Sequence, residues 1–317
     1  MIKKFALLFS FITFLWACDK VDDPIPSNIG ETVENQGTSY ILDKSFGVGN
    51  VSQLINFLDN NNWSDTVNAP DNSAQRFITL EEFTGHTCQF CPIGTRELTR
   101  LKGIYGNQLI PIGIHAGGFA VPKEGPKYTT DFRVDGGHGE IYVQEFNQAD
   151  AYPRGIVSRL GDIAKSQNEW NKDIKSIKDL APSVILKMTN YYDPVNKIIR
   201  SNLEITWLKS LTEEYNLQVF VLEDHIIDWQ LDATTNPNDI PDYDHRHVLR
   251  KVVNDTYGKT LSAAELGTTE TIQYIFPFTE NLVPDNDKNI EVVAFIFNSD
   301  PSSLEVIQAN AAHIIKK

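Results

Sequence analysis

The clearest pattern of apolar and polar positions along the chain is a strand-like run followed closely by a helix-like run. A cluster of bulky and β-branched residues between turn residues predicts a buried strand over 76–83. These residues are Phe77, Ile78, Leu80 and Phe83. After a break at Gly85, apolar residues recur at helical spacing from Cys91 onward, which predicts a helix that ends at Gly103 or Gly106.

Two further elements are predicted in the first half of the chain. A short apolar run predicts a central strand over 109–115, and apolar residues at helical intervals predict a helix over 168–180, before Pro182. Between them lies an insertion, 117–150, which is rich in glycine and aromatic residues. Such a loop predicts either a groove for a partner or an aromatic lid that packs on its own domain.

From residue 183 onward the pattern is strand-like. Seven short apolar runs are separated by clusters of Asn, Asp, Gly and Pro, which predicts a β-sandwich of immunoglobulin-like type over 182–317. The runs lie at 183–188, 198–207, 217–222, 247–253, 271–276, 290–297 and 306–309. The acidic stretch 232–244 predicts a solvated loop, with a metal or calcium site around His245 and His247 as the alternative.

The amino terminus has the pattern of a secretory signal. Lys3 and Lys4 precede an apolar run that is too short to span a bilayer core of about 30 Å. The junction from Leu15 to Cys18 resembles the bacterial lipobox, so we predict removal of residues 1–17 and lipidation of Cys18. An ordinary secretory signal with an incidental cysteine is the alternative.

The segment 18–73 is polar and rich in Asn, Asp, Gly and Ser, and we interpret it as a tether. Its acidic start is consistent with either a surface-export signal or a solvated spacer. One short helix is predicted over 51–59, because apolar residues there share a face.

Composition narrows the classes of function. A chain of 317 residues with 41% hydrophobic and 22% charged residues suits two folded domains with tails, and we place the domains at 74–181 and 182–317. The net charge of −14 argues against nucleic acid as a partner, because phosphate binding needs clustered Lys and Arg. The sequence has no glycine-rich phosphate loop, nucleophile elbow or zinc-protease helix, so we predict no cofactor and no metal.

The cysteines carry the strongest chemical signal. The chain has three, and lipidation of Cys18 leaves Cys88 and Cys91 as one pair. A Cys-x-x-Cys pair at the start of a helix can react, because unpaired amide hydrogens and the positive end of the helix dipole stabilise a thiolate. We predict that Cys88 is the exposed attacking sulfur, aided by the nearby His86, and that Cys91 is the more buried resolving sulfur. A structural disulfide that braces the helix is the alternative.

These residues resemble those of the thioredoxin-like superfamily. Glu82, six residues before Cys88, matches a buried acid that assists proton transfer at the resolving thiol, and Pro153 matches a cis-proline that faces the disulfide. The resemblance implies a thioredoxin-like α/β domain over 74–181 and a catalytic set of Cys88, Cys91, Glu82 and Pro153. The substrate groove it implies is lined by His86, Gln89, Phe90 and Tyr152. Thioredoxin itself has Gly-Pro where Gln89-Phe90 stands and Trp where Thr87 stands, so the direction of electron flow stays open.

The mature chain as a whole resembles the outer membrane protein 28-related family of Bacteroidota. The resemblance is carried by the lipobox, by 84–92, by Tyr152-Pro153 and by 245–250. It implies a lipid-anchored outer-membrane protein with a thioredoxin-like domain followed by an all-β immunoglobulin-like domain. One hypothesis is a thiol-disulfide oxidoreductase whose partners are envelope proteins with thiols or disulfides. The other is a non-catalytic surface binding protein, adhesin or accessory subunit of an outer-membrane complex.

Overall fold

The computed structural model describes residues 25, 28–134, 137–161, 163–278 and 286–316. The predicted signal peptide, Cys18, where we predict lipidation, and the acidic residues directly after it lie outside these ranges. Within them, no helix has both the length and the apolar character needed to cross a membrane.

Strands make up more of the described chain than helices do. The α-helices are α1 (Val51–Asn60), α2 (Cys91–Tyr105), α3 (His138–Ile141) and α4 (Gln167–Ile177). A π-helical turn, Tyr142–Phe146, follows α3, and 3-10 turns lie at Lys44–Phe46, Gly106–Gln108, Gly117–Phe119 and Asp287–Asn289. The strands are β1 (Ile29–Asn35), β2 (Thr38–Asp43), β3 (Asp65–Asn68), β4 (Ile78–Thr84), β5 (Leu109–His115), β6 (Arg154–Val157), β7 (Val184–Asp193), β8 (Ile198–Trp207), β9 (Tyr215–Glu223), β10 (Ile226–Leu231), β11 (Asp239–His245), β12 (Val248–Val252), β13 (Lys259–Thr260), β14 (Thr269–Pro277), β15 (Ile290–Asn298) and β16 (Val306–His313).

The larger sheet mixes parallel and antiparallel pairs. Its order is β16-β15-β9-β12-β5-β4-β6, and β13 pairs with β9. Strands β4 and β5 are parallel because α2 connects them as a crossover. Every residue of these two strands is buried, since α2 and α4 cover one face and the insertion covers the other.

The predicted elements of this part of the chain are confirmed. The strands expected at 76–83 and 109–115 are β4 and β5, and the helix expected from Cys91 is α2, which ends at Tyr105 just before Gly106. The helix expected over 168–180 is α4, whose apolar face is buried against the sheet.

The second sheet has six strands in the order β1-β2-β14-β8-β7-β3. It packs face to face with β9 and β15 of the larger sheet through an apolar cluster that includes Leu203, Val219 and Val292. All seven strand-like runs after residue 183 are strands, namely β7, β8, β9, β12, β14, β15 and β16. The described chain is therefore mostly β, with mixed sheets.

Sheet pairing does not stop at the predicted boundary near residue 182. Strand β12 pairs with β5, so strands from both predicted domains lie in one hydrogen-bonded sheet. The described part of segment 18–73 also differs from a tether, because β1, β2 and β3 all pair within the six-stranded sheet. Its polar composition fits that position, since β1 and β3 are edge strands with exposed or half-exposed residues. Helix α1 lies where the short helix is expected.

Candidate functional site at the Cys88–Cys91 disulfide

Cys88 and Cys91 form a disulfide at the amino-terminal end of α2, directly after β4. Their Cα atoms are 5.4 Å apart. The Cys91 amide donates to the carbonyl of Cys88 at 3.2 Å, and Pro92 follows at the helix start, where an amide hydrogen is not needed. In the reduced protein the remaining amide hydrogens and the helix dipole would stabilise a thiolate here.

Glu82 lies beside this helix end, on β4. It is buried, and burial raises its pKa to about 8, although hydrogen bonds from the Thr95 hydroxyl to the carboxylate at 3.2 and 3.4 Å oppose the shift. The same hydroxyl lies 3.4 Å from the carbonyl oxygen of Cys91. Glu82 therefore carries a proton near neutral pH and lies next to the helical turn that contains Cys91.

Pro153 follows a cis peptide bond after Tyr152 and lies directly before β6, as the thioredoxin resemblance implies. Gly94 of α2 lies between Pro153 and Glu82. A side-chain carbon at Gly94 would be 2.9 Å from the Pro153 Cβ and 2.6 Å from the Glu82 Oε1. The structure thus brings Cys88, Cys91, Glu82 and Pro153 together, and the glycine permits their close approach.

The prediction that Cys88 is exposed is wrong for this disulfide form. Cys88 is 3% exposed and Cys91 is 1% exposed. The loop that carries Cys88 packs on one side against Phe119, because the Thr87 amide donates to the Phe119 carbonyl at 3.1 Å. Gly85 permits this approach, since an added side-chain carbon there would be 2.6 Å from the Phe119 backbone.

The other side of the same loop packs against β10, β11 and the turn between them, residues 226–245, which we call the ribbon. The Leu231 amide donates to the His86 carbonyl at 2.9 Å, and the Ala233 amide donates to the Gln89 carbonyl at 2.8 Å. The ribbon also brings Tyr243 toward Glu82, and burial is the largest cause that raises the pKa of Tyr243 to about 12. Neighbours on both sides of the loop therefore explain the low exposure of Cys88.

The predicted groove residues fall into two groups. Gln89 and Phe90 are exposed and Tyr152 is half-buried, so these three can face a partner. Phe90 is 51% exposed, and the ring of Tyr152 packs edge-on against Phe119 with centroids 5.8 Å apart. His86 is fully buried and does not line a groove, which corrects that prediction.

His86 also supplies no positive charge to Cys88. Its Nε2 lies 3.2 Å from the Val121 carbonyl, and burial lowers its pKa from the usual value, so the ring is neutral at pH 7. The ring packs against Phe132, as do those of His115 and His245, with centroids 5.5, 4.9 and 4.4 Å from that of Phe132. We call these four residues the histidine cluster.

Two histidines outside this cluster, His138 and His247, have other partners. His138 is hydrogen bonded to Thr256 at 2.9 Å, and His247 lies beside Asp224 with Nδ1 and Oδ1 3.2 Å apart. His245 and His247 therefore do not share one site. No group of three or more His, Cys, Asp or Glu side chains in the described part of the chain is arranged to hold a metal ion.

Sequence reasoning missed the ribbon. The stretch 232–244, expected as a solvated loop, includes the turn and most of β11. The signal that indicates a hairpin is the run Ile226, Ile227, Trp229 and Leu231 followed by an Asn and Pro turn. Its acidic residues obscured this pattern.

A match to a protein-family model shows the family of this chain. The model of the family described as outer membrane protein Omp28 matches residues 140–316, more than half of the chain. The chain belongs to the Omp28 family. This confirms the outer membrane protein 28-related resemblance. The Omp28 match includes Pro153 and the ribbon, whereas Cys88 and Cys91 precede it.

Solved structures give a second comparison. HBP35 of Porphyromonas gingivalis is similar, with 16% identity, a TM-score of 0.53 and coverage of 76% of each chain, which is a likeness of fold alone. The structure of β-glucosidase 3B from Thermotoga neapolitana in complex with glucose matches over 41% of this chain and 15% of the β-glucosidase chain, at 10% identity. Its TM-score of 0.18 does not indicate a shared fold. The search of curated proteins finds no match. Together these findings assign an Omp28-type outer-membrane protein.

Proposed function

We propose that this Omp28 family member is a lipid-anchored envelope thiol-disulfide oxidoreductase with a thioredoxin-like site. The observation that carries the proposal is the meeting of a Cys-x-x-Cys disulfide, a protonated buried glutamate and a cis-proline at one helix end. The order β4, α2 and β5 with parallel strands, followed by antiparallel β6 after the cis-proline, supports a thioredoxin-like arrangement. The six-stranded sheet and the strands β9 and β15 that face it form the accompanying immunoglobulin-like part.

The proposed exchange begins with the reduced protein. The Cys88 thiolate forms a bond to one sulfur of a substrate disulfide, and the other substrate sulfur leaves as a thiolate and takes a proton. Cys91 then loses its proton and attacks the Cys88 sulfur, which releases the second substrate thiol and leaves the Cys88–Cys91 disulfide. Glu82 exchanges this proton. Its ionised form, about a tenth of the molecules at pH 7 for a pKa of about 8, accepts the proton when Cys91 attacks, and its protonated form returns a proton in the reverse reaction. Pro153 docks the substrate backbone.

A trapping experiment tests this reaction. Cys91→Ser should capture envelope proteins on Cys88 as mixed disulfides, because the resolving thiol is gone, and Cys88→Ser is the matched control that should capture far fewer. Diagonal non-reducing gels of cells that carry each variant give the measurement. The oxidoreductase proposal would be refuted if neither variant captured a partner and the wild-type disulfide resisted reduction at about −300 mV.

The second candidate is a non-catalytic binding protein whose disulfide braces the start of α2. The low exposure of Cys88 favours it. Under this alternative the surface that binds a partner has no need of a reduced thiol, so a Cys88→Ser, Cys91→Ser double variant would keep its partners in a pull-down from native membranes. Loss of those partners would favour the oxidoreductase.

The anchor in this proposal is lipid on Cys18. Its support is the lipobox-like junction and the odd number of cysteines, of which two already pair. Cys18→Ser should abolish partition of the protein into detergent with the membrane fraction. A variant that stays membrane-bound would exclude the lipid anchor.

A further inference from the structure

The ribbon is attached to the Cys88 loop from a distant part of the chain. It forms its own two-stranded sheet and is not a strand pair of either large sheet. Its base is fixed, because Ile226 packs with Phe132 and Val248. Its tip, 232–238, meets the loop and the second turn of α2.

The contacts of the tip and of the last two residues of β10 surround the backbone of Cys88. The amides of Leu231 and Ala233 bind the carbonyls of His86 and Gln89, which flank Cys88 in the sequence. The buried side-chain Nε2 of Gln230 also donates to the carbonyls of Cys88 at 3.3 Å and Gly85 at 3.4 Å.

One ion pair joins the tip to the disulfide helix. The Arg96 Nη1 is 2.7 Å from the Asp232 Oδ2, and the Asp232 side chain is 1% exposed while that of Arg96 is 52% exposed. Arg96 also donates to the Thr234 hydroxyl at 3.1 Å. Asp232 keeps bonds from the Thr234 amide at 2.9 Å and hydroxyl at 2.6 Å, so it has other partners when Arg96 is replaced.

We propose that the ribbon is a lid on the disulfide, latched by the Arg96–Asp232 pair, and that a thiol reaches Cys88 only after the tip has moved away. A thiolate must contact the sulfur that it attacks, and Cys88 is 3% exposed. Hydrogen bonds and one partly exposed ion pair hold the tip, whereas the base packs through buried apolar side chains, so opening at the tip is the local motion that the structure favours. This lid regulates the proposed redox site, and in that sense rests on the proposed function.

The rate of reduction by dithiothreitol tests the lid in the whole folded protein. One dithiothreitol thiolate bonds to the Cys88 sulfur and Cys91 leaves as a thiolate that takes a proton. The second dithiothreitol thiolate then displaces Cys88, so the reagent is oxidised to its cyclic disulfide and both cysteines are reduced. Alkylation followed by mass spectrometry gives the reduced fraction with time.

Arg96→Gln and Asp232→Asn should each speed reduction about fivefold, which is the contribution of one ion pair with an exposed partner. The double variant should be no faster than the faster single variant, because both remove the same contact. Lys187→Gln is the matched control, since it breaks another partly exposed pair, Lys187–Glu204, on β7 and β8, and it should reduce at the wild-type rate.

Amide hydrogen exchange separates the lid from general loss of stability. The peptide that contains Leu231 and Ala233 should exchange faster in Arg96→Gln, while peptides from β15 should not change. A further variant, with 232–238 replaced by Asn-Gly, removes the tip and should reduce fastest.

Two results would overturn the lid. One is reduction at the wild-type rate in folded variants whose ribbon peptide exchanges faster. The other is a native wild-type protein that reduces as fast as it does in urea. The proposed oxidoreductase is tested separately, by the trapping experiment. A lid over a structural disulfide would give faster reduction in the variants and no trapped partners. A reactive site without a lid would give trapped partners and unchanged reduction rates.

Discussion

Replacing Glu82 with glutamine should change how the stability of the protein depends on pH. Burial raises the pKa of Glu82 to about 8 in the folded protein, from 4.5. The folded state therefore keeps this proton over a range in which the unfolded chain has released it. Because the unfolded state binds fewer protons there, the free energy of unfolding falls as pH rises from 4.5 toward 8.

The size of the effect follows from the two pKa values. Between pH 5 and pH 8 the wild-type protein should lose about 3 kcal/mol of stability through Glu82 alone, at about 1.4 kcal/mol for each unit of pKa difference. The glutamine side chain of Glu82→Gln has nearly the size of the protonated glutamate and is likewise uncharged beside Thr95. It does not titrate in this pH range. The stability of the variant relative to the wild type should therefore rise by about 3 kcal/mol over this range.

Urea unfolding of the oxidised protein, followed by circular dichroism at several pH values, gives the measurement. All other titrating groups are common to both proteins, so their contributions cancel in the difference. Glu124→Gln, at an exposed position of the insertion, is the control and should leave the difference flat. A difference between Glu82→Gln and wild type that is constant from pH 5 to pH 8 would refute a raised pKa of Glu82, and with it the proposed proton exchange between Glu82 and Cys91.

Acid should act in the opposite sense through the histidine cluster. Burial lowers the pKa of His245 to about 4 from 6.5, so its contribution to stability is present above pH 6.5 and is lost as pH falls toward 4, by about 3 kcal/mol. His245→Phe should therefore reduce the fall in the free energy of unfolding between pH 6.5 and pH 4. A fall as large as that of the wild-type protein would contradict this. Gly94→Ala should destabilise the protein by about 1–3 kcal/mol, because the new carbon would meet Glu82 and Pro153 at 2.6 and 2.9 Å. Gly103→Ala is its matched control on the same helix. An added carbon there has nothing within 4 Å, so this substitution should raise the free energy of unfolding by about 0.5–1 kcal/mol. Equal effects of the two substitutions would show that Gly94 is not in close contact.

Local patterning determined the secondary elements that matter for the site. The strand from Leu109 to His115 and the strand from Ile198 to Trp207 have the bounds that the sequence predicts. The helix from Cys91 is equally predictable, because its start, its apolar spacing and its terminating glycine are all encoded within a few residues of one another. The pairing of Cys88 with Cys91 and the cis bond at Pro153 agree with the short motifs from which they were inferred.

Only the tertiary structure determined the solvent exposure and the protonation states of the side chains in those motifs. Gln230, which contacts the carbonyl of Cys88, lies 142 residues away in sequence, and no local pattern indicates that contact. The burial of Cys88, the neutral state of His86 and the raised pKa of Glu82 all depend on residues brought in from other elements. A pKa depends on surrounding solvent and charge, and sheet order depends on pairing between distant strands, so neither property is contained in the periodicity of a short segment.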